Sequence, residues 1–286
     1  MFFTVIIPTC HRNGLLAKCL DLLAPGKQVL AAEKYEVIVT DDGSKSTAKE
    51  MINRNYPWVR WVEGPKEGAG ANRNNGAKCA RGYWLVFTDD DCLPDTNFLA
   101  GYWKAAMENS VLVLEGKTSP ADVQTRVDME CPANEHGGYL WSCNMAIRKD
   151  LFLELGGFDT NFSYAAMEDV DLRTRLVNRG IIFKFVPDAL VLHPMRLRKG
   201  CAFLRGYCES MIFFISRHPE NEDLISLKSI SVSFIRKLIK QLPPVALACR
   251  GRGLGRELLL NTYCSCILIY YSLRRRIKYG ENEIKR

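Results

Sequence analysis

The chain has 286 residues, 47% of them hydrophobic and 25% charged, so it is globular in composition and long enough for one large domain or a domain with an appendage. Its formal charge of +7 is unevenly placed: residues 1–195 hold 21 Lys and Arg against 25 Asp and Glu, whereas residues 196–286 hold 18 against 7. Eleven scattered cysteines, with no CxxC pair and no Cys/His cluster at zinc spacing, argue against a disulfide framework or a zinc knuckle and fit reduced thiols of the cytosol.

Residues 3–7 are a continuous apolar run ended by Pro8, the pattern of a buried strand, without the basic flank or cleavage site of a signal peptide. After the loop Thr9-Cys10-His11-Arg12-Asn13-Gly14, Leu16, Leu20 and Leu23 share one face of a helix predicted over 15–23. A second strand over 35–40 delivers Asp41-Asp42-Gly43-Ser44 at its carboxyl end, and a helix follows from about Thr47. This alternation implies a parallel sheet with right-handed crossovers. A short strand over 59–63, a glycine-bearing loop over 64–70 and a helix over 71–80 continue it. Arg73 falls in the first turn of that helix, where the macrodipole disfavours a cation; it is either an ordinary surface arginine or one with an anionic neighbour.

Residues 83–88 (Tyr-Trp-Leu-Val-Phe-Thr) read as a buried strand, and Asp89-Asp90-Asp91 follow at once. Three adjacent carboxylates are not buried without compensation, so they belong at the strand's carboxyl end, where open α/β sheets bind ligands. In isolation such a run is a solvated acidic turn; at a strand end its hard oxygens suit Mg2+ or Mn2+ that in turn holds phosphate. A helix over 95–108 and a strand over 111–115 come next. Residues 117–138 lack periodicity, and irregular chain of that length inside a compact domain marks a functional loop. A strand over 139–147 and a helix over 149–155, stopped by Gly156-Gly157, precede a loop opened by Phe158-Asp159. The next helix opens at Glu168-Asp169, with Val170, Leu172, Leu176 and Val177 at helical spacing; acidic residues there also serve as plain caps. A last strand over 181–186 leads through Pro187 to His193, either a structural histidine or the further ligand of an aspartate-held metal.

Past residue 195, a helix is predicted over 201–217, residues 229–242 mix apolar residues with Arg236, Lys237 and Lys240, and residues 251–256 read as a loop because no strand precedes them. Residues 258–273 are mostly Leu, Ile, Tyr and Cys, closed by Arg274-Arg275-Arg276 and Lys278. The stretch is too short and too polar for a bilayer span. It reads as an interfacial helix whose basic end meets anionic lipid, or as a helix packed on the body. Aromatic residues interleaved with Leu and Ile give no nucleic-acid-binding pattern.

Seven segments, in order, resemble glycosyltransferase family 2, the nucleotide-sugar-dependent enzymes of GT-A fold: Val5-Ile6-Ile7-Pro8-Thr9; Val37 through Ser44; Asn72-Arg73-Asn74-Asn75-Gly76; Phe87 through Asp91; Cys143 through Arg148; Gly156-Gly157-Phe158-Asp159; and Glu168-Asp169-Val170-Asp171-Leu172. Thr40 and His11 replace commoner residues of their motifs. The resemblance implies an α/β, Rossmann-like, mostly parallel sheet in residues 1–195, with residues 196–286 as a helical basic extension outside the match. It implies that Pro8, Thr9 and Asp42 line a nucleoside pocket, that Asp89, Asp90 and Arg73 lie by the nucleotide, and that Asp91, with His193, holds Mg2+ or Mn2+. Asp169 is then the general base, with Glu168 near a sugar. The activity implied is inverting transfer from a nucleoside-diphosphate-sugar, a UDP-sugar foremost, to a glycan or lipid-linked acceptor, at the cytoplasmic face of a membrane. The competing readings are a nucleotidyltransferase, for which the loop after the first strand offers only Arg12 and Gly14, and a catalytically silent nucleotide-binding scaffold.

Overall fold

The computed structural model describes residues 1–108, 111–162 and 164–284, the last ten by their backbone alone. The chain divides into two compact units, residues 1–122 with 131–194 and residues 123–130 with 195–286. Segment 123–130, taken from the stretch without periodicity, thus belongs with the C-terminal part.

In the first unit, β1 (Phe3–Thr9), α1 (Asn13–Leu23), β2 (Tyr35–Asp41), α2 (Lys49–Asn55), β3 (Val59–Glu63), α3 (Ala69–Cys79) and β4 (Trp84–Thr88) alternate. The four strands are parallel, with β1 between β2 and β4 and β3 outside β2. Every residue of β1 and β4 is buried, as strands covered on both faces require. Successive side chains point to opposite faces, so Val5 and Ile7 join Leu16, Leu20 and Leu23 of α1, while Ile6 joins Ala77 of α3 on the other side. The helix α3 carries few apolar residues and is held by close approach. A Cβ on Gly76 would lie 2.6 Å from Ile6 Cγ2, so only glycine lets the helix sit at this distance from β1.

The rest of the sheet is mixed. Its elements are β5 (Leu93–Pro94), α4 (Phe98–Ala106), β6 (Val113–Pro120), β8 (Asn144–Arg148), α5 (Lys149–Glu154), α6 (Glu168–Asn178) and β9 (Lys184–His193); β7 (Met129–Glu130) lies in the second unit. The eight strands run in the order β3-β2-β1-β4-β8-β6-β9-β5, with β8 antiparallel to β4 and β6, β9 parallel to β6, and β5 antiparallel to β9.

Three elements differ from expectation, each for a physical reason. The strand expected over 111–115 runs on to Pro120. The strand expected over 139–147 begins only at Asn144, because the preceding loop hangs on one buried carboxylate. The N–H groups of Gly138 and Tyr139 and the amide of Asn134 donate to Glu115 at 2.6–2.7 Å, as does the N–H of Leu140, which sits at φ 51°. Finally, β9 passes through Pro187 instead of ending before it. The β6–β9 register jumps from Gly116↔Val186 to Lys117↔Leu190, so Pro187 lies in a bulge where no ladder N–H is needed.

In the second unit, β7 pairs antiparallel with β10 (Arg196–Leu197), followed by α7 (Cys201–Arg217), α8 (Leu227–Arg236), α9 (Leu242–Ala248) and α10 (Leu254–Ile284). A π-turn over 237–241 joins α8 to α9, and Pro243-Pro244 fall in the first turn of α9, where a missing N–H is harmless. The loop expected over 251–256 is shorter, since α10 begins at Leu254 and then packs along α7 and α8. Val127 packs with Leu242 and Cys249, and Asp128 accepts from Arg126 and Arg256. Buried Glu257 is compensated by Arg198 at 3.0 Å and Lys237 at 2.7 Å. All eleven cysteines are free thiols. No described helix is long and apolar enough to cross a membrane. The side chains of Arg275, Arg276 and Lys278 lie outside the described residues.

Candidate active site

Because β1, β2, β4 and β9 run in one direction, their carboxyl ends share one edge of the sheet and present Thr9, Asp42, Asp89-Asp90-Asp91 and His193 there. The Asp42 N–H donates to Thr9 O at 2.9 Å, and Thr9 Oγ1 donates to Asp90 Oδ2 at 2.7 Å. One chain of hydrogen bonds therefore joins the ends of β1, β2 and β4. Pro8 is buried within β1. Asp42 is half-buried and accepts from the Lys66 N–H; burial pushes its carboxyl above the usual range. The neighbouring Asp41 is structural: its carboxylate takes the N–H groups of Gly43 and Ala48 and the indole of Trp61, which fixes the turn after β2. Asn72 ties the same edge together, accepting from Thr40 Oγ1 at 2.6 Å and donating to Thr40 O at 2.9 Å.

Arg73 lies in the second turn of α3, since the helix starts at Ala69, and it is buried between two carboxylates. Its Nη2 donates to Asp89 Oδ1 at 2.7 Å and its Nη1 to Glu168 Oε1 at 3.2 Å, with the guanidinium 5.7 Å from the Phe158 ring centroid. Of the two readings of Arg73, the one with an anionic neighbour holds, and the neighbours are Asp89 and Glu168. Burial opposes the charge on Asp89, but Arg73 outweighs it and holds the carboxyl below the usual range. Glu168 and Asp169 open α6, preceded by Met167 at φ 74°, a strained left-handed residue of the kind that gathers at functional sites. Burial, then the charge of Asp169, pushes Glu168 up to about 7. Asp169 is also raised by burial, with Arg73 pulling the other way. Unlike Glu168 it is partly exposed, and its carboxylate accepts the Val170 N–H at 2.8 Å.

The third cluster is Asp91, Cys92 and His193, whose ligand atoms lie within 4.8 Å of one another. Register explains it. With Leu93 opposite Leu192 in the antiparallel β5–β9 pair, Cys92 comes opposite His193 and Asp91 beside it. The His193 Nδ1 lies 2.9 Å from Pro194 O, and a carbonyl only accepts, so Nδ1 carries the proton. In the neutral ring, Nε2 then turns a lone pair towards Asp91 Oδ1, 3.4 Å away. Two acceptors at that separation call for a positive charge between them, a proton or a metal ion. A carboxylate and an imidazole nitrogen fit a divalent cation. Cys92 fits less well: its thiol is raised well above the usual range by its hydrogen bond to Cys143 and by burial.

Sequence reasoning left out Arg12. Its Nε reaches Asp90 Oδ2 at 3.1 Å, its Nη2 pairs with Asp90 Oδ1, and its Nη1 donates to Asp91 Oδ2 at 2.9 Å. The signal was present, because a cation in the loop after β1 must share a sheet edge with carboxylates that follow β4. Asp90 is the fully buried member of the run; burial pushes it up to about 6, against the opposing pull of Arg12.

A family model described as Glycosyl transferase family 2 matches residues 4–131. The chain is 28% identical over 258 residues to a validoxylamine A glucosyltransferase of Streptomyces hygroscopicus subsp. limoneus, covering 76% of this chain and 56% of that protein. Among solved structures it resembles mannosyltransferase PcManGT of Pyrobaculum calidifontis in complex with GDP-Man and Mn2+, with a TM-score of 0.64, 18% identity, and coverage of 95% of this chain and 86% of that one. It also resembles S. aureus TarS 1–349 in complex with UDP-GlcNAc, with a TM-score of 0.57, 17% identity, and coverage of 99% and 92%. The chain spans 56–61% of the length of the first curated relatives it matches. The unit that carries the site thus matches the glycosyl transferase family 2 model over residues 4–131 and has the GT-A fold.

Proposed function

We propose that the protein is an inverting glycosyltransferase that moves a sugar from a nucleoside-diphosphate-sugar, a UDP-sugar foremost, to a hydroxyl of a glycan or lipid-linked acceptor. The observation that carries this reading is the Arg73 clamp, since one guanidinium binds both Asp89 at the end of β4 and Glu168 at the start of α6. A carboxylate of the proposed donor side and the neighbour of the proposed base, from distant parts of the chain, therefore meet at one guanidinium.

In this reading Thr9 and Asp42 border the nucleoside, Asp42 accepting from the base, and Asp89 faces the ribose. Asp90 orients Thr9 and Arg12 from beneath. Asp91 and His193 would hold the divalent cation, Mg2+ or Mn2+. When bound, that cation supplies charge stabilisation for the leaving diphosphate. Asp169 takes the proton from the acceptor hydroxyl, which attacks the anomeric carbon opposite the leaving group and inverts it. Glu168, fixed by Arg73, borders the sugar.

A panel of UDP-, GDP- and dTDP-sugars tests the reading through metal-dependent donor hydrolysis. One nucleotide series is expected to be cleaved with Mn2+ and spared with EDTA. Cleavage of none, or cleavage indifferent to EDTA, overturns it.

We also assign the acceptor side to an anionic membrane surface at the cytoplasmic face, on two supports. Val232, Ile235 and Ile239 are 57%, 52% and 68% exposed and recur every three or four residues along α8 and the π-turn, with Lys228, Arg236 and Lys240 exposed on the same run. The excess of 18 basic over 7 acidic residues in 196–286 supplies the complementary charge. This stripe is a better candidate than residues 258–273, whose helix spends one side packing on α7 and α8. The protein is expected to float with phosphatidylglycerol vesicles but not with phosphatidylcholine ones, and the Ile235→Glu, Ile239→Glu double variant to stay down. A wild-type protein that remains at the bottom with anionic vesicles overturns the membrane assignment and leaves the sugar-transfer reading standing.

A further inference from the structure

Arg12 stands where a cation bound to the aspartates would be felt most strongly. Its guanidinium spans Asp90 and Asp91, which are 0% and 6% exposed, while the arginine side chain itself is 41% exposed. It sits at the N-cap of α1, where a positive charge gains nothing from the helix dipole and makes no capping bond. What holds it is the pair of carboxylates, and these would otherwise be two neighbouring buried negative charges. The two oxygens of Asp91 are divided: Oδ2 meets Arg12, and Oδ1 faces His193 Nε2.

Resting on the reading of Asp91 and His193 as the cation site, we propose that Arg12 is a placeholder for the divalent cation. It neutralises Asp90 and Asp91 before the cation arrives, is displaced by it, and then pairs with the donor's diphosphate. A cation entering between Asp91 and His193 meets a fixed positive charge on the other oxygen of the same carboxylate, and like charges at that range in a partly buried site repel strongly. The exposed stem lets the guanidinium swing out without unpacking the core. Once released, its planar fork would suit the phosphate oxygens of a diphosphate held by the same cation. Cation and nucleoside diphosphate are then coupled. Each lowers the cost of moving Arg12 for the other, and the coupling is reciprocal.

The test is Mn2+ binding to the full chain, followed by the EPR signal of free Mn2+, first with Mn2+ alone and then with UDP or GDP. Arg12→Gln is expected to bind Mn2+ alone about tenfold more tightly than wild type, and to bind the nucleoside diphosphate with Mn2+ about tenfold more weakly, changes within the usual span of couplings. Arg12→Lys keeps the competing charge but loses the fork, so its affinity for Mn2+ alone stays near that of wild type while diphosphate binding falls. If Arg12 were only a structural tie, Arg12→Gln would bind Mn2+ no better and melt earlier, and that result overturns the proposal. Equal Mn2+ affinity in wild type and Arg12→Gln overturns it while the cation site stands. Absence of Mn2+ binding in the wild type overturns both.

Discussion

Asp169→Asn is expected to leave donor binding unchanged and to lower turnover by roughly 10²–10⁴-fold, the usual worth of a positioned general base. The choice between the two acidic residues at the start of α6 follows from their surroundings. Glu168 is buried, and its Oε1 is held by Arg73. Asp169 is partly exposed, and backbone N–H groups orient its carboxylate, that of Val170 on Oδ1 at 2.8 Å and that of Ser142 on Oδ2 at 3.5 Å. Both carboxyls are pushed up by burial, Glu168 to about 7, and adjacent groups of this kind titrate as a pair. A base works when deprotonated, so a raised pKa means that activity falls as pH drops through the pair's range, from near neutrality downwards. The variant's residual rate should lack this acid limb. The measurement is donor hydrolysis against pH for both proteins, with UDP and Mn2+ binding by calorimetry as the control. Wild-type-like turnover, or an acid limb that survives in Asp169→Asn, removes Asp169 from the role of base.

The parts of this site that could be read from the sequence are those whose chemistry lies within a few residues. The apolar run before Asp89-Asp90-Asp91 announced a buried strand delivering charge to a sheet edge, and the repeated strand-helix alternation put the ends of β1, β2 and β4 side by side. What stayed hidden depends on distant side chains. The loop before β8 has no periodicity because its order comes from Glu115, whose carboxylate gathers N–H groups more than twenty residues away. The strand β5 has two residues, too few for any pattern, yet its register with β9 sets Asp91 against His193. Pro187 looked like the end of a strand because a bulge, which only the partner strand reveals, carries β9 past it. Arg12 was visible as a residue and invisible as a contact, since nothing local distinguishes an arginine paired with two buried aspartates from one in solvent.

Removing either proposed cation ligand should have the second large effect. Asp91→Asn and His193→Gln are each expected to weaken Mn2+ binding by more than the roughly 10–100-fold that loss of an outer-shell partner costs at a metal site. With Nδ1 committed to Pro194 O, Nε2 is the ring nitrogen that faces Asp91 and would meet a cation, so both variants act on the same cation. A buried histidine held only for packing predicts the reverse for His193→Gln: a lowered melting temperature with an unaltered Mn2+ titration. Since register alone brings Asp91 to His193, an unchanged titration in both variants would mean that β5 and β9 juxtapose a carboxylate and an imidazole with no cation to share.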